Sequence, residues 1–304
     1  MTRSAYLIFN PAAGQNNPEK DLAKIQTILE PEIQLQIHQT AQGKSAAQLV
    51  THALEKGVEM IIASGGDGTL SKTSEALIGT GIHFGIIPRG TANAFAAAMG
   101  IPQSIEAACE IILAGKTRAI DAATCNGQPM LLLAGIGYEA EMIAQADRTA
   151  KNRFGVLAYI LSGIRQLRRI RSFEAEIETE ERSLKLQAVA VTIANAAPIA
   201  SILAQGGTDV VADDGLLDIT LITSGDRMSF IAAILKLLRS GFNHTTVKRE
   251  DVVYQRVKRI RVSTKPRQKI VVDGNLRGKT PVDVECIPNG LTILAPAPQG
   301  VTSQ

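Results

Sequence analysis

Met60-Ile61-Ile62-Ala63-Ser64-Gly65-Gly66-Asp67-Gly68-Thr69-Leu70 is the stretch on which the reading of this chain turns. Its apolar start, Met60–Ser64, has the length and composition of a buried strand. A glycine cluster follows, and helical spacing resumes over Leu70–Ile78. Glycine lets a backbone come close to a ligand and take up positive φ. The helix behind it offers unbonded N–H groups and the positive end of its dipole, which together suit an anion. Asp67, held in the turn, is placed to position a magnesium-bound phosphate. Ligands of open α/β sheets gather at the carboxyl ends of strands, where this loop lies. The stretch is neither a GxxxxGK[ST] loop nor a GxGxxG fingerprint. A tight turn that binds nothing is the plain alternative.

On either side of this stretch, strand and helix patterns alternate. Strands are predicted over Tyr6–Asn10, Ile33–His38, Met60–Ser64 and Phe84–Pro88. Helices are predicted over Lys20–Leu29, Ser45–Glu55, Leu70–Ile78, Ala94–Met99 and Ser104–Leu113. This order predicts an α/β domain whose parallel sheet is covered on both faces. Near Lys116 the pattern changes and strands dominate: Arg118–Thr124, Met130–Ala134, Ser172–Ile177, Lys185–Ala194, Leu217–Thr223, Val257–Ser263, Lys269–Val272 and Leu291–Ala295. Helices are expected only about Val156–Arg169 and Arg227–Leu238. The expectation is an α/β domain over 1–116 and a mostly antiparallel, β-rich domain over 117–304.

Bulk properties narrow the class. A chain of 304 residues holds one large domain or two ordinary ones. With 45% apolar residues, 4% aromatics and no Trp, the core must come from Ile, Leu, Val and Ala. The net charge of +3, from 32 basic and 29 acidic residues, speaks against a dedicated nucleic-acid partner. Cys109, Cys125 and Cys286 lack CxxC spacing, which disfavours zinc and a disulfide framework and suits a reducing cytoplasm. His38, His52, His83 and His244 have no metal-ligand spacing. No leader pattern precedes the strand-like Ala5–Phe9. No apolar run reaches the roughly 18–20 residues of a transmembrane segment.

Two further loops repeat the logic of the first at the same predicted sheet edge. Asn10-Pro11-Ala12-Ala13-Gly14 follows the first strand, and Pro88-Arg89-Gly90-Thr91-Ala92-Asn93 follows the fourth. Thr91 and the loop amides suit phosphate, and Arg89 adds a charge-assisted contact. The bland alternative for Arg89 is a solvated surface residue. Three loops of small residues on one edge are more than turn chemistry explains.

On these residues the chain resembles the diacylglycerol kinase catalytic family, in particular its bacterial soluble lipid kinases. The resemblance rests on Asn10–Gly14, Thr40, Gly65–Thr69, Pro88–Asn93 and Val211-Ala212-Asp213-Asp214-Gly215-Leu216-Leu217-Asp218, in order along nearly the whole chain. The GGDGT motif is shared with NAD kinases and 6-phosphofructokinases, whereas PxGTxN and DDGxLD point to lipid kinases. The resemblance implies ATP contacts at Asn10, Pro11, Ala12, Ala13, Gly14, Thr40, Gly65, Gly66, Asp67, Gly68, Thr69, Leu70, Ser71 and Thr91. Arg89, Gly90 and Asn93 of the third loop belong to the same candidate site. It also implies a structural Mg2+ at Asp214 with the carbonyls of Val211 and Leu216, oxygen donors of the kind magnesium takes. Without the resemblance, Asp213-Asp214-Gly215 reads as a turn before a strand. A lipid acceptor at a membrane surface is implied as well, and a return of the chain to the first domain after about Leu291. A homodimer is compatible with the sequence.

The chain departs from the family pattern at the proton-accepting position. The family's DGE segment is here Val272-Asp273-Gly274-Asn275. The amide of Asn275 cannot accept a proton. Asp273 is either its substitute or a turn residue. Ala94 stands where the family carries an aspartate, and Ser71 and Lys72 where it carries asparagine and glutamate. A general base contributes roughly 10²–10⁴ in rate, so a slow kinase is expected rather than a dead one. Lys151, Arg153, Arg165, Arg168, Arg169 and Arg171 surround a helix with an apolar stripe, a candidate membrane face or a solvated one. The expected function is an ATP-dependent lipid kinase, cytoplasmic and peripheral at the membrane. A catalytically weak ATP- and lipid-binding protein and an NAD kinase are the alternatives.

Overall fold

The structure, a computed structural model, describes residues 3–14, 16–41, 43–137, 172–197, 210–223 and 252–296. The chain divides into two compact units. One comprises Met1–Asp121 with Asn289–Gln304, the other Ala122–Pro288.

In the first unit, strands β1 (Arg3–Phe9), β2 (Ile33–Gln39), β3 (Met60–Gly65) and β4 (His83–Pro88) form a parallel sheet in the order β2-β1-β3-β4. Every residue of β3 is buried, as a parallel strand covered on both faces requires. Helices α1 (Pro18–Leu29), α2 (Ala46–Glu55), α3 (Asp67–Leu77), α4 (Ala94–Ala98) and α5 (Ile105–Ala114) alternate with the strands or follow them. Local chemistry sets their ends. Asn17 caps α1 with Pro18 at its first position, and Ser45 and Gln48 form a capping box on α2. Ser104 caps α5, and Gly115 closes it in the left-handed conformation. Helices α1 and α5 pack together, as do α2 and α3.

The second unit is built from antiparallel strands. β5 (Thr117–Cys125), which begins in the first unit, pairs with β6 (Gln128–Met130). β7 (Leu133–Gly137), β8 (Phe173–Thr179), β9 (Ser183–Ala188), β10 (Ala190–Ala194), β11 (Leu217–Ile222), β12 (Val252–Val257), β13 (Arg259–Lys265), β14 (Lys269–Val272), β15 (Asn275–Lys279) and β16 (Val282–Leu294) follow. Six of them make a sheet in the order β12-β11-β10-β7-β14-β15. The succession β16-β13-β8-β9 makes another. Strands β8 and β13 alternate buried and open positions. Their inward residues Phe173, Ala175, Ile177, Ile260 and Val262 share one core with Ile136, Val191, Ile193 and Ile219 of the other sheet. β16 serves both units: its start pairs with β13, and Thr292–Ile293 near its end runs parallel to β4.

The fold class is as predicted, a parallel α/β part followed by an antiparallel β part. Within the second part, single predicted strands prove to be pairs. The segment Met130–Ala134 is broken at Leu131–Leu132 between β6 and β7, and Lys185–Ala194 is broken at Val189. Strands β12 and β15 were not predicted, and Leu291–Ala295 overlaps the end of a strand of 13 residues. The predicted helices about 156–169 and 227–238, and the basic cluster between Lys151 and Arg171, lie outside the described residues. Among the described residues no helix is long and apolar enough to cross a membrane.

Candidate active site

Because β1 to β4 run parallel, the loops after them emerge at one edge. The strand order reverses between β1 and β3, the kind of switch point at which open sheets bind ligands. Backbone bonds fix the loops to one another. Asn10 N donates to Ser64 O at 2.9 Å, Thr40 N to Phe9 O at 2.9 Å, and Arg89 N to Gly65 O at 2.7 Å. A cavity of about 540 Å³ opens here, with Asn10, Thr40, Lys44, Gly66, Thr69 and Lys72 in its lining. Ala13, Gly68 and Gly90 also line it.

Gly65, Gly66 and Gly90 are needed for space, which corrects the expectation of positive φ in the glycine cluster. Gly66 has φ −91, and Gly65, Gly68 and Gly90 likewise avoid the left-handed region. A Cβ on Gly65 would lie 2.6 Å from the Thr69 side chain. One on Gly90 would lie 2.7 Å from Gly66 Cα. The Gly65–Thr69 loop and the Arg89–Asn93 loop therefore approach each other backbone to backbone, at Gly66 and Gly90. Gly66 caps α3 without a side chain, which leaves the cap free of side-chain bonds.

Asn10 ties the Asn10–Gly14 loop to α3. Its Nδ2 donates to Thr69 Oγ1 at 2.8 Å, while its Oδ1 accepts from Ala12 N at 3.0 Å. Asp67 sits in the first turn of α3, where a negative charge is favoured. Its Oδ1 is buried with no hydrogen-bond partner, as is the Ser64 hydroxyl oxygen. A buried, unpartnered carboxylate oxygen is the donor a hard divalent cation takes, so Asp67 fits magnesium. Leu70 lies fully buried beneath the loop, and Ser71 Oγ donates to Glu75 Oε1 at 3.1 Å.

Arg89 is not the solvated surface residue of the bland alternative. It is buried and does not line the cavity. Its Nε donates to Asp21 Oδ2 at 2.9 Å and its Nη1 to Asn10 O at 3.0 Å. The guanidinium carbon lies 4.3 Å from the centroid of the Phe9 ring. Arg89 thus clamps the Asn10 loop to α1. Asn93, in the left-handed conformation, shapes the third loop. Its Oδ1 accepts from Gly90 N at 2.7 Å, and its Nδ2 donates to Gly90 O at 2.8 Å and to Gln103 Oε1. Thr91 is exposed, and Pro11, Ala12 and Gly14 flank the cavity without lining it.

Sequence reasoning reached only Thr40 of the loop after β2 and missed the rest. Gly43, Lys44, Ser45, Ala46 and Gln48 line the cavity together with Lys72. The readable signals were the Ser45–Gln48 capping box and the position of this loop at the same sheet edge. Asp21 was missed too, although it stands at helical spacing with the buried Ile25 and Leu29.

The remaining candidates belong to the second unit. Asp273 has φ 47, and its carboxylate accepts from three amides: Leu131 N at 2.8 Å, Leu132 N at 2.9 Å and Leu133 N at 3.0 Å. It holds the turn between β6 and β7 rather than standing open to take a proton. Asn275 is exposed and donates through Nδ2 to Asp273 O at 3.2 Å. Asp214 Oδ1 accepts from Leu216 N at 3.0 Å, and its Oδ2 lies 3.2 Å from Arg256 Nη1. Val211 and Leu216 are half-buried. Among the described residues no group of three or more His, Cys, Asp or Glu side chains is placed to hold a metal.

Residues 4–125 match the diacylglycerol kinase catalytic domain. Residues 133–295 match the YegS C-terminal NAD kinase beta sandwich-like domain. The chain is 47% identical to the uncharacterized protein sll0036 of Synechocystis sp. over 97% of its own length and 71% of that protein's. It is 28% identical to the diacylglycerol kinase of Bacillus subtilis over 92% of each. It is 29% identical to the probable lipid kinase YegS of Escherichia coli O9:H4 over 77% of this chain and 79% of the other. A solved diacylglycerol kinase of Bacillus anthracis shares the fold, with a TM-score of 0.73 at 24% identity and 97% of each chain covered. A second solved chain of that organism gives 0.79 at 27% identity, again over 97% of each.

Proposed function

The chain belongs to the diacylglycerol kinase catalytic family, and on that premise we propose that it transfers the γ-phosphoryl group of ATP to a hydroxyl of a lipid such as diacylglycerol. The observation that carries this reading is the cavity at the carboxyl edge of the parallel sheet. It joins the uncapped N-terminus of α3 to two lysines, with the unpartnered oxygen of Asp67 in the first turn of the same helix. Amides at a helix N-terminus receive phosphate oxygens. Lys44 and Lys72 add positive charge to the lining of the cavity. The Asn10–Thr69 bond and the Arg89 clamp hold the loops in place, and phosphoryl transfer depends mostly on such positioning. Asp67 would hold magnesium through its unpartnered Oδ1, and the ion would neutralise phosphate charge.

The acceptor hydroxyl must lose a proton as its oxygen bonds to phosphorus and ADP leaves. Asn275 cannot take that proton, and the carboxylate of Asp273 is committed to three amides. We assign no base role to either residue and expect slow turnover. The acceptor is met at a bilayer surface by a peripheral, cytoplasmic enzyme. Labelled ATP offered with a broad lipid panel tests the reading: a lipid phosphate should form, and Asp67→Asn should abolish it. A purified chain that labels no lipid of the panel refutes it. The amide at Asn275 favours a second reading, an ATP- and lipid-binding protein with little turnover. Tight ATP binding without transfer, and activity gained by Asn275→Glu, would select that one. NAD in the acceptor panel tests the NAD kinase alternative.

A further inference from the structure

Asp214, Asp218, Tyr254 and Arg256 form one cluster in the second unit. Strands β11 and β12 pair antiparallel with Asp218 opposite Arg256, which sets carboxylate beside guanidinium across the strands. Arg256 Nε donates to Asp218 Oδ1 at 3.0 Å, and its Nη1 lies 3.2 Å from Asp214 Oδ2. One guanidinium therefore bridges two carboxylates. The Tyr254 hydroxyl donates to the same Asp218 oxygen, and Leu216 N donates to Asp214 Oδ1. Asp218 has no solvent exposure at all, so its charge needs a partner within the fold. Arg256 supplies that partner from a side chain that is itself only 33% exposed.

The resemblance to the family implies a structural magnesium at Asp214, and the cluster does not fit one. Magnesium requires near-octahedral oxygen donors at about 2.0–2.1 Å and surrounds itself with water. Both Asp214 oxygens are engaged, one of them by a cation that never loses its charge, and the unpartnered Asp218 Oδ2 belongs to a carboxylate whose other oxygen already takes Arg256 Nε and the Tyr254 hydroxyl. A second cation on that carboxylate would meet the guanidinium at close range. We infer that Arg256 is a built-in cation replacing the magnesium expected at Asp214, so that the Val211–Asp218 segment is held to β12 without a metal. The magnesium at Asp67 is a separate matter, in the other unit, and the inference does not depend on the proposed activity.

The test is thermal unfolding of the full chain without nucleotide or lipid, in EDTA and in millimolar MgCl2. The wild-type midpoint should be the same in both, to within about 1 °C. Arg256→Met in EDTA should melt ~5 °C lower, because Asp218 and Asp214 lose their shared partner. A wild-type midpoint that climbs with MgCl2, and no longer climbs in Asp214→Asn, overturns the inference. A climb that survives Asp214→Asn comes from elsewhere and leaves Asp214 metal-free, as expected. Arg256→Met that melts like wild type also overturns it. If that variant does not fold, the wild-type and Asp214→Asn measurements decide alone. A chain with no kinase activity would leave every one of these outcomes unchanged.

Discussion

Replacing Arg89 with leucine removes a guanidinium that holds three things at once. It loses the 2.9 Å bond to Asp21, the 3.0 Å bond to Asn10 O and the contact with the Phe9 ring. The side chains of Arg89 and Asp21 are only 2% and 10% exposed, so solvent cannot take over for the stranded carboxylate. Removing one partner of such a pair costs about 3–5 kcal/mol. That corresponds to a fall in melting midpoint of roughly 10 °C. Removing both charges is expected to be milder. Asp21→Leu/Arg89→Leu should melt above Arg89→Leu alone, because no buried charge is left over. A urea or thermal double-mutant cycle measures the coupling. Isothermal titration with ATP should show weaker binding for Arg89→Leu, since Asn10 loses its anchor. Arg89→Leu within about 1 kcal/mol of wild type, or a double variant no better than the single, would refute the clamp. Unchanged stability with lost ATP binding would instead assign Arg89 to the phosphates.

Other expectations follow from single contacts. Gly90→Ala places a Cβ 2.7 Å from Gly66 Cα and 2.6 Å from Asn93 Oδ1, so the two loops must part. ATP affinity should fall about tenfold or more, and equilibrium dialysis showing unchanged affinity would sink the idea. His38 stacks on Tyr6 with ring centroids 3.9 Å apart, and desolvation, helped by Lys56, His52 and Lys44, holds its pKa below 6.5. The unfolded chain therefore takes up a proton first as pH falls through 6.5, and the stability contributed by neutral His38 is lost below that pH. His38→Gln should flatten this part of a urea-midpoint profile against pH. Burial pushes the Cys109 thiol up to about 12 and the Cys125 thiol up to about 11. Both should resist a thiol reagent at neutral pH in the native protein and react once it is unfolded.

The first unit was readable because its signals are local. Strand β3 is a single apolar run, and Ser45 with Gln48 announces α2 within four residues. The loops after β1, β3 and β4 could be placed on one edge from strand order alone. What escaped depended on partners far away in the chain. The Met130–Ala134 run breaks because Asp273, 141 residues beyond Leu132, draws its amides out of the strand. The pairing of Arg89 is hidden in the sequence because Asp21, its partner, stands 68 residues earlier and resembles any acidic residue near a helix start. Lys44, in the loop before α2, and Lys72, on α3, are both exposed and ordinary in sequence, and only the cavity gives them a common purpose. The pair of Asp218 with Arg256 is likewise visible only once β11 and β12 lie side by side.

The order of synthesis leaves one edge of the parallel sheet waiting for its neighbour. His83 of β4 waits for Thr292 of β16 as its parallel neighbour. Those two residues leave the ribosome roughly 10–40 s apart at ordinary elongation rates. During that interval β4 is an open edge rich in apolar residues, Phe84, Ile86 and Ile87 among them, and an open edge invites pairing with other chains. A nascent chain stalled or cut before Leu291 should therefore aggregate, even though every helix of the first unit has already been made.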